Sequence, residues 1–414
     1  MNPHFIIQTK FVLFLLLSKS YLFSQSNLDS LTENLFSYQE KYQFDKIKDD
    51  GTCIINIIDV KGDIKINGHM GSGVMLIANH FFDWDLLKEN TQSKEKNILN
   101  VFHNDQRIDI KSMKNINHKY SSNYILNIPI NTNLYISLSG GNVNANQIKG
   151  NIKIFSSGGD ISLDKIFGNV EINTYAGSII IQNCTGDFRA NTNNGNIRIN
   201  KNKANFFISS SSGDTFINEL IGNLELMNKL GSVYLNNLKN GNIQCHLSYG
   251  NIIAKEIKGD FYGQIKNGDI SIESLYGLCN ITSTNGDIIT DYLNGPVIID
   301  VEKGNISGTN IYGPIQAFTS FGNISFDIAF NYSRRDDSIS LETVAGNIDI
   351  SIPKNLPINI KAEVSNYKNL NTISSDIPIE FINNNETYAS GKVLGGTIPI
   401  HLFSGDGHII IREN

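Results

Sequence analysis

A glycine returns every nine residues through the middle of the chain, and that interval limits the fold more than any other feature of the sequence. From Gly141 the series runs Gly150, Gly159, Gly168, Gly177, Gly186 and Gly195, has Ala204 where the next glycine is due, and continues with Gly213, Gly222 and Gly231. One extra residue precedes Gly241, after which Gly250, Gly259, Gly268, Gly277, Gly286, Gly295, Gly304, Gly313 and Gly322 keep the count. Self-similarity of this length marks a repeat architecture, in which each unit packs only on its neighbours.

Inside each nonapeptide the third and fifth residues are mostly apolar and the fourth is often polar, the alternation of a strand with one buried face. Glycine at position one suits a turn with positive φ, and Asn or Asp beside it suits local bonding to the backbone. Two classes of nonapeptide alternate. One has inward pairs such as Ile161/Leu163, Ile179/Ile181 and Ile270/Ile272 with an apolar eighth residue; the other has Val170/Ile172, Phe188/Ala190 and Phe261/Gly263. Large beside small keeps the layer volume constant. The predicted fold is therefore all-β, a single-stranded β-solenoid with eighteen-residue coils made of two nonapeptide strands. Right-handed coiling is the default from strand twist. Residues 141–330 would supply about ten coils, roughly 50 Å at about 4.8 Å per coil.

The ends depart from this register. Lys10 and the apolar run 11–17, followed by small residues through Ser26, read as a secretory signal peptide over residues 1–26. A membrane anchor is the alternative, but the run is shorter than the roughly 20 residues a span needs. Residues 27–50 are a leader or a short helix, with Leu28, Leu31, Leu35 and Phe36 at helical spacing. Residues 51–140 are a strand-rich cap with the first solenoid strands, and 331–414 hold irregular final coils and a C-terminal cap. Atypical terminal units are expected because open solenoid edges pair with other chains.

Net charge is −6 with no basic block, which leaves out nucleic acid as a partner. Four cysteines in an exported chain raise the question of disulfides. Cys245 and Cys279 both fall on inward positions nearly two coils apart, roughly 10 Å, beyond disulfide reach, so buried reduced thiols are expected.

The segments Gly62-Asp-Ile-Lys-Ile-Asn-Gly68, Val74-Met-Leu-Ile-Ala78, Asn127-Ile-Pro-Ile-Asn-Thr-Asn-Leu134, the Gly-Asp/Asn-Ile units and Gly395 to Ile411 together resemble the bacterial adhesin-type family known as the DUF4097 β-strand repeat proteins. The auto-transporter adhesin head family, with its Gly-Ile-Asn motif, is a more distant likeness. The resemblance implies an exported β-helical protein and brings no catalytic residues with it.

The chemistry available to such a chain is narrow. A calcium β-roll also has a nine-residue period but needs several glycines and a recurring Asp per turn, which these repeats lack. The position-two series Asp160, Ser178, Asn196, Asp214, Ser232, Asn251, Asp269, Asp287, Asn305 and Asn323 reads as turn-forming residues rather than a row of ligand groups. A polysaccharide-cleaving β-helix would need paired carboxylates over a groove. Asp269 and Asp287 come one coil apart, but no His, Lys or long loop near them completes a site. No metal-spaced His pair, Ser-centred nucleophile motif or phosphate loop is present, so neither an enzyme nor a cofactor is expected. The outward feature that stands out is Phe216, Tyr234 and Ile253 on successive coils, with Phe207 on the other strand, an apolar strip suited to a partner or simply to stacking. The sequence thus predicts an exported, non-enzymatic protein of the cell surface, extracellular space or periplasm with a protein or polysaccharide partner. A periplasmic envelope-stress accessory and a polysaccharide-acting enzyme are the alternatives.

Overall fold

The computed structural model describes residues 35–45, 47, 49–83, 98–113, 120–330, 337–365, 372–381 and 387–414. The expected signal peptide and most of the charged Asn331–Ser338 insertion lie outside them. The described residues form 36 strands and no helix, in two compact units, Met1–Asn193 and Asn194–Asn414.

Each unit is a β-solenoid. In the second, strands of one class stack in parallel as Thr215–Ile221, Val233–Lys239, Ile252–Lys258, Ile270–Tyr276, Ile288–Asn294 and Ile306–Tyr312. Strands of the other class stack as Leu224–Leu230, Ile243–Tyr249, Phe261–Asn267, Cys279–Asn285, Val297–Lys303 and Ile315–Phe321. Partners are eighteen residues apart, as in Ile270↔Ile288 and Cys279↔Val297. The predicted inward residues form the core: Ile270, Ile288, Phe261, Cys279 and Ile281 are fully buried. Each buried aliphatic side chain contributes ~1.5–3 kcal/mol, so a coil with four or five of them is held by its packing rather than by its turns.

Three local devices make the repeat work. The first is the corner glycine. A Cβ on Gly286 would lie 1.9 Å from the carbonyl oxygen of Gly268 in the coil below, and Gly286 also has φ +140°. The second is the position-two ladder. The side-chain oxygen of Asp269 accepts the backbone N–H of Asp287 at 2.8 Å, Asp287 accepts that of Asn305 at 2.7 Å, and Asn305 that of Asn323 at 2.9 Å. These are N–H groups that the turn takes out of the strand ladder, so a short carboxylate or amide at this place satisfies them. The third is a left-handed residue at position seven of one class, at Lys165, Lys201, Glu219, Glu256, Tyr292 and Asn310, all with φ between 54° and 56°. That residue breaks the alternation, so positions five and eight both face inward. It explains the apolar eighth residue, for which strict alternation has no place.

The two irregularities of the glycine count have physical outcomes. At Ala204 the corner is kept, since the two halves of the strand Ile197–Ser212 stack on Thr215–Ile221 and on Leu224–Leu230, and Ala204 is tolerated because its φ lies outside the left-handed region. The extra residue before Gly241 is absorbed by Asn240, at φ 58°, in a conformation Asn tolerates better than most residues.

Both ends depart from sequence order. The coil made by Cys53–Val60 and Asp63–His69 is not outermost. It lies between Thr132–Leu138 with Val143–Ile148 on one side and Arg107–Ser112 with Tyr120–Pro129 on the other. Likewise Ile398–Asp406 and Ile409–Glu413, last in the chain, lie between Ile339–Ala345 with Ile348–Ile352 and Ile358–Val364 with Ile373–Ser375. Antiparallel strands then cover the outer coils: Leu99–His103 on Arg107–Ser112, Val74–Asp83 on Tyr120–Pro129, and Tyr388–Lys392 on Ile358–Val364. Pairing the exposed edge with a reversed strand removes the template for further parallel addition.

One expectation is corrected here. The short helix considered within residues 27–50 is, over its described part, the strand Leu35–Phe44, antiparallel to Val74–Asp83. The period-two series Tyr38, Glu40, Tyr42 and Phe44, which turns toward the protein, outweighs the helical spacing of the leucines before it.

Candidate binding surfaces

Outward side chains of a solenoid stack from coil to coil as the inward ones do. In the Asn194–Asn414 unit, position four places Arg198, Phe216, Tyr234 and Ile253 in register on four consecutive strands. The rings of Phe216 and Tyr234 lie 4.8 Å apart and within 4° of parallel, and the Arg198 guanidinium sits 5.2 Å from the Phe216 centroid. Arg198 is exposed while Phe216, Tyr234 and Ile253 are half-buried. The structure thus joins three of the four residues predicted for this surface and adds a cation at its end. Phe207 stands apart from them. It belongs to the second half of Ile197–Ser212, in register with Glu225 on the other strand class.

A second aromatic group escaped the sequence reading. Tyr276, Tyr292 and Tyr312 come from successive coils, with ring centroids 5.8 Å and 5.5 Å apart, and the Lys258 ammonium lies 5.8 Å from the Tyr276 ring. Tyr276 and Tyr292 are exposed. Two of these tyrosines hold position nine and one holds the left-handed position seven, so no single column of the aligned repeats shows the cluster.

Position seven of the other class was also missed. It points inward and carries Ser156, Thr174, Ser210, Thr319 and Thr343, all buried. Their hydroxyls donate to turn carbonyls: Ser156 to Gly158, Thr174 to Ala176, Thr319 to Gly304 and Thr343 to Gly322. The available signal was a Ser or Thr at this position in many of the repeats of that class, with Asn228 or an aliphatic residue such as Leu247, Ile265 or Val301 in others.

Titratable chemistry concentrates in the N-terminal antiparallel layer. His80 Nδ1 is 2.7 Å from Ser122 Oγ, and His80 Nε2 is 3.5 Å from Glu40 Oε1. Glu40 also accepts the backbone N–H of Ile98 at 2.6 Å and the hydroxyl of Tyr42. Burial pushes Glu40 up from the ordinary carboxylate value and pushes His80 down to about 4. The order Ser–His–carboxylate is that of a nucleophile chain, but Ser122 is 1% and His80 0% exposed. What the cluster does is tie three antiparallel strands, one residue from each.

The two carboxylates weighed for catalysis, Asp269 and Asp287, are members of the turn ladder described above. Cys53, Cys184, Cys245 and Cys279 are buried free thiols, and burial pushes Cys245 and Cys279 up to about 12. Among the described residues no group of His, Cys, Asp or Glu is arranged to hold a metal ion, and no helix is long and apolar enough to cross a membrane.

The Toastrack DUF4097 family model matches residues 127–218 and 217–397. No curated protein matches the sequence. Among solved structures the chain is similar to a "putative cell adhesion protein" from Clostridium sporogenes, with 10% identity over 92% of this chain and 100% of that one at a TM-score of 0.17. It is similar also to a "putative adhesin" from Parabacteroides distasonis, with 9% identity, 76% and 97% coverage and a TM-score of 0.24. A third, likewise a "putative adhesin", comes from Bacteroides fragilis, with 15% identity, 77% and 98% coverage and a TM-score of 0.17.

Proposed function

The chain belongs to the Toastrack DUF4097 family, and on that footing we propose that it is an exported, non-enzymatic protein of the cell envelope that holds a protein or polysaccharide partner against its outward columns. The observation that carries this reading is the Arg198–Phe216–Tyr234–Ile253 column, which sets a cation, two stacked rings and an aliphatic side chain in register on an outward face. Aromatic and Arg side chains of this kind dominate binding energy where they are desolvated by a partner. Export is supported by the charged-then-apolar N-terminal run ending in small residues. The non-enzymatic part is supported by the burial of Ser122 and His80 and by the structural employment of Asp269 and Asp287.

The first experiment is fractionation of the producing cell with protease treatment of intact cells, followed by binding of the purified chain to those cells. Surface cleavage, with binding lost in a Phe216→Ala/Tyr234→Ala double variant, is the expected result. Protection until the envelope is opened would remove the adhesive role and leave a periplasmic one. Binding unchanged in the double variant would take the partner away from this column.

A further inference from the structure

A shallow trough of about 390 Å³ opens on the outer side of the Met1–Asn193 unit. It falls within the roughly 300–1,000 Å³ of ordinary ligand sites. Phe155, Asn173 and Asn191 line it from one repeat position, and Ser157, Tyr175 and Asn193 from the position two residues on. Both rows advance by one coil, about 4.8 Å, per member, so the trough has a period along the stack.

Its chemistry is neutral, aromatic and rich in amides. Tyr175 is 62% exposed, and Phe155 is half-buried with its ring 5.9 Å from that of Tyr135. The Asn191 side-chain amide donates to Asn173 Oδ1 at 2.8 Å, forming a row. No charged side chain lines the trough, and the neighbouring Lys153 and Glu171 pair with each other at 2.8 Å. On its floor the hydroxyls of Ser156 and Thr174 are committed to the turn carbonyls of Gly158 and Ala176.

From this we propose that the trough binds a neutral linear polysaccharide laid along the coil stack. Tyr175 supplies exposed aromatic surface for the sugar C–H faces, beside the Phe155 ring that Lys153 overlies, and Asn191 and Asn193 supply donors and acceptors for its hydroxyls, with Asn173 held in the row by Glu171 and Asn191. No charged side chain of the lining meets an anionic polymer, the neighbouring Lys153 and Arg189 standing beside Glu171. The Ser157 hydroxyl and the amides of Asn173, Asn191 and Asn193 in the lining interrupt any apolar bed for a lipid chain. An extended peptide would bind best by adding to a strand edge. The Ile152–Ser156 strand offers none, since it is already paired with Thr132–Leu138 on one side and Val170–Ala176 on the other. The site is in a different unit from the Phe216 column, and the proposal rests on the polysaccharide part of the function proposed above, to which it gives a chemical class.

The test is affinity electrophoresis of the full chain through gels carrying dextran, laminarin, xylan or galactomannan, with alginate and casein as comparators. The expected result is retardation by at least one neutral polymer, weakened about tenfold, or ~1.4 kcal/mol, by Tyr175→Ala and by Asn191→Ala. Glu302→Ala, at an exposed position outside both surfaces, should leave it unchanged, and retardation lost only in Phe216→Ala would place the sugar on the other column and overturn the proposal. Tyr175 is exposed, and an unaltered urea midpoint for Tyr175→Ala confirms that any loss is local. The proposal is overturned if none of the neutral polymers retards the chain, if only alginate or casein does, or if Tyr175→Ala is retarded like the wild type.

Discussion

Replacing Gly286 with Ala tests the physical basis of the repeat at its tightest point. The added methyl would sit 1.9 Å from the Gly268 carbonyl oxygen and 2.5 Å from its carbon, both backbone atoms that no rotamer change can move. The backbone at φ +140° is also one that L side chains rarely adopt, at a cost of about 1–3 kcal/mol. Relief of the contact requires the two corners to part by more than 1 Å by ordinary contact distances (~3.5 Å). That stretches the bonds from Gly268 N–H to Asn285 O, 2.9 Å, and from Asp287 N–H to Asp269 Oδ1, 2.8 Å, each worth ~1 kcal/mol. The sum is about 3–5 kcal/mol, which for a unit of this size lowers the melting temperature by about 10 °C. Gly140→Ala is the control, since a Cβ there meets nothing within 4 Å and its φ lies outside the restricted region. It should stay within ~0.5 kcal/mol of wild type. The measurement is urea and thermal unfolding of both variants by circular dichroism. Equal midpoints for Gly286→Ala and wild type would refute the claim that backbone contact between stacked corners selects glycine.

Three further outcomes follow from the same structure. Iodoacetamide should modify none of the four cysteines in the folded chain and all four in urea, because each is buried and each thiol is pushed up, Cys53 and Cys184 to about 11; rapid native labelling, read by intact mass, would contradict this. Glu256→Gly should raise stability by about 0.5 kcal/mol, since Glu256 is exposed at φ 54° and the left-handed strain it relieves exceeds the entropy glycine adds to the unfolded chain; a lower urea midpoint would count against strain at position seven. His80 stays neutral in the fold down to about 4, against an ordinary value of 6.5, so the unfolded chain takes up this proton first, and its contribution is full above about 6.5 and lost as pH falls toward 4, by up to ~3 kcal/mol. Glu40, pushed upward, acts with the opposite sign, its contribution being full below 4.5 and lost as pH rises. His80→Gln should therefore lose much less stability than wild type between pH 6.5 and 4, and parallel pH profiles for the two would exclude His80 as the source.

What could be read in the sequence was whatever repeats in register. Glycine at position one, aliphatic residues at three and five, and Asn or Asp at position two each do the same physical job in every coil, so their spacing in the chain is their spacing in space. The missed features break that equivalence. Tyr276, Tyr292 and Tyr312 meet because a left-handed residue turns position seven toward position nine of the neighbouring coils, which no column of the alignment shows. Glu40, His80 and Ser122 meet through antiparallel pairings set by the cap alone. The tucked coils at both ends depend on pairings between strands far apart in the chain, and sequence order carries no information on those. Partner recognition belongs to this second kind of feature. A solenoid surface discriminates by which outward columns coincide over several coils, so the binding residues need not resemble one another in the repeat. Tyr175 shows the consequence: it shares its repeat position with Ser157 and Asn193 and becomes a candidate contact only because three different side chains, one per coil, line the same trough.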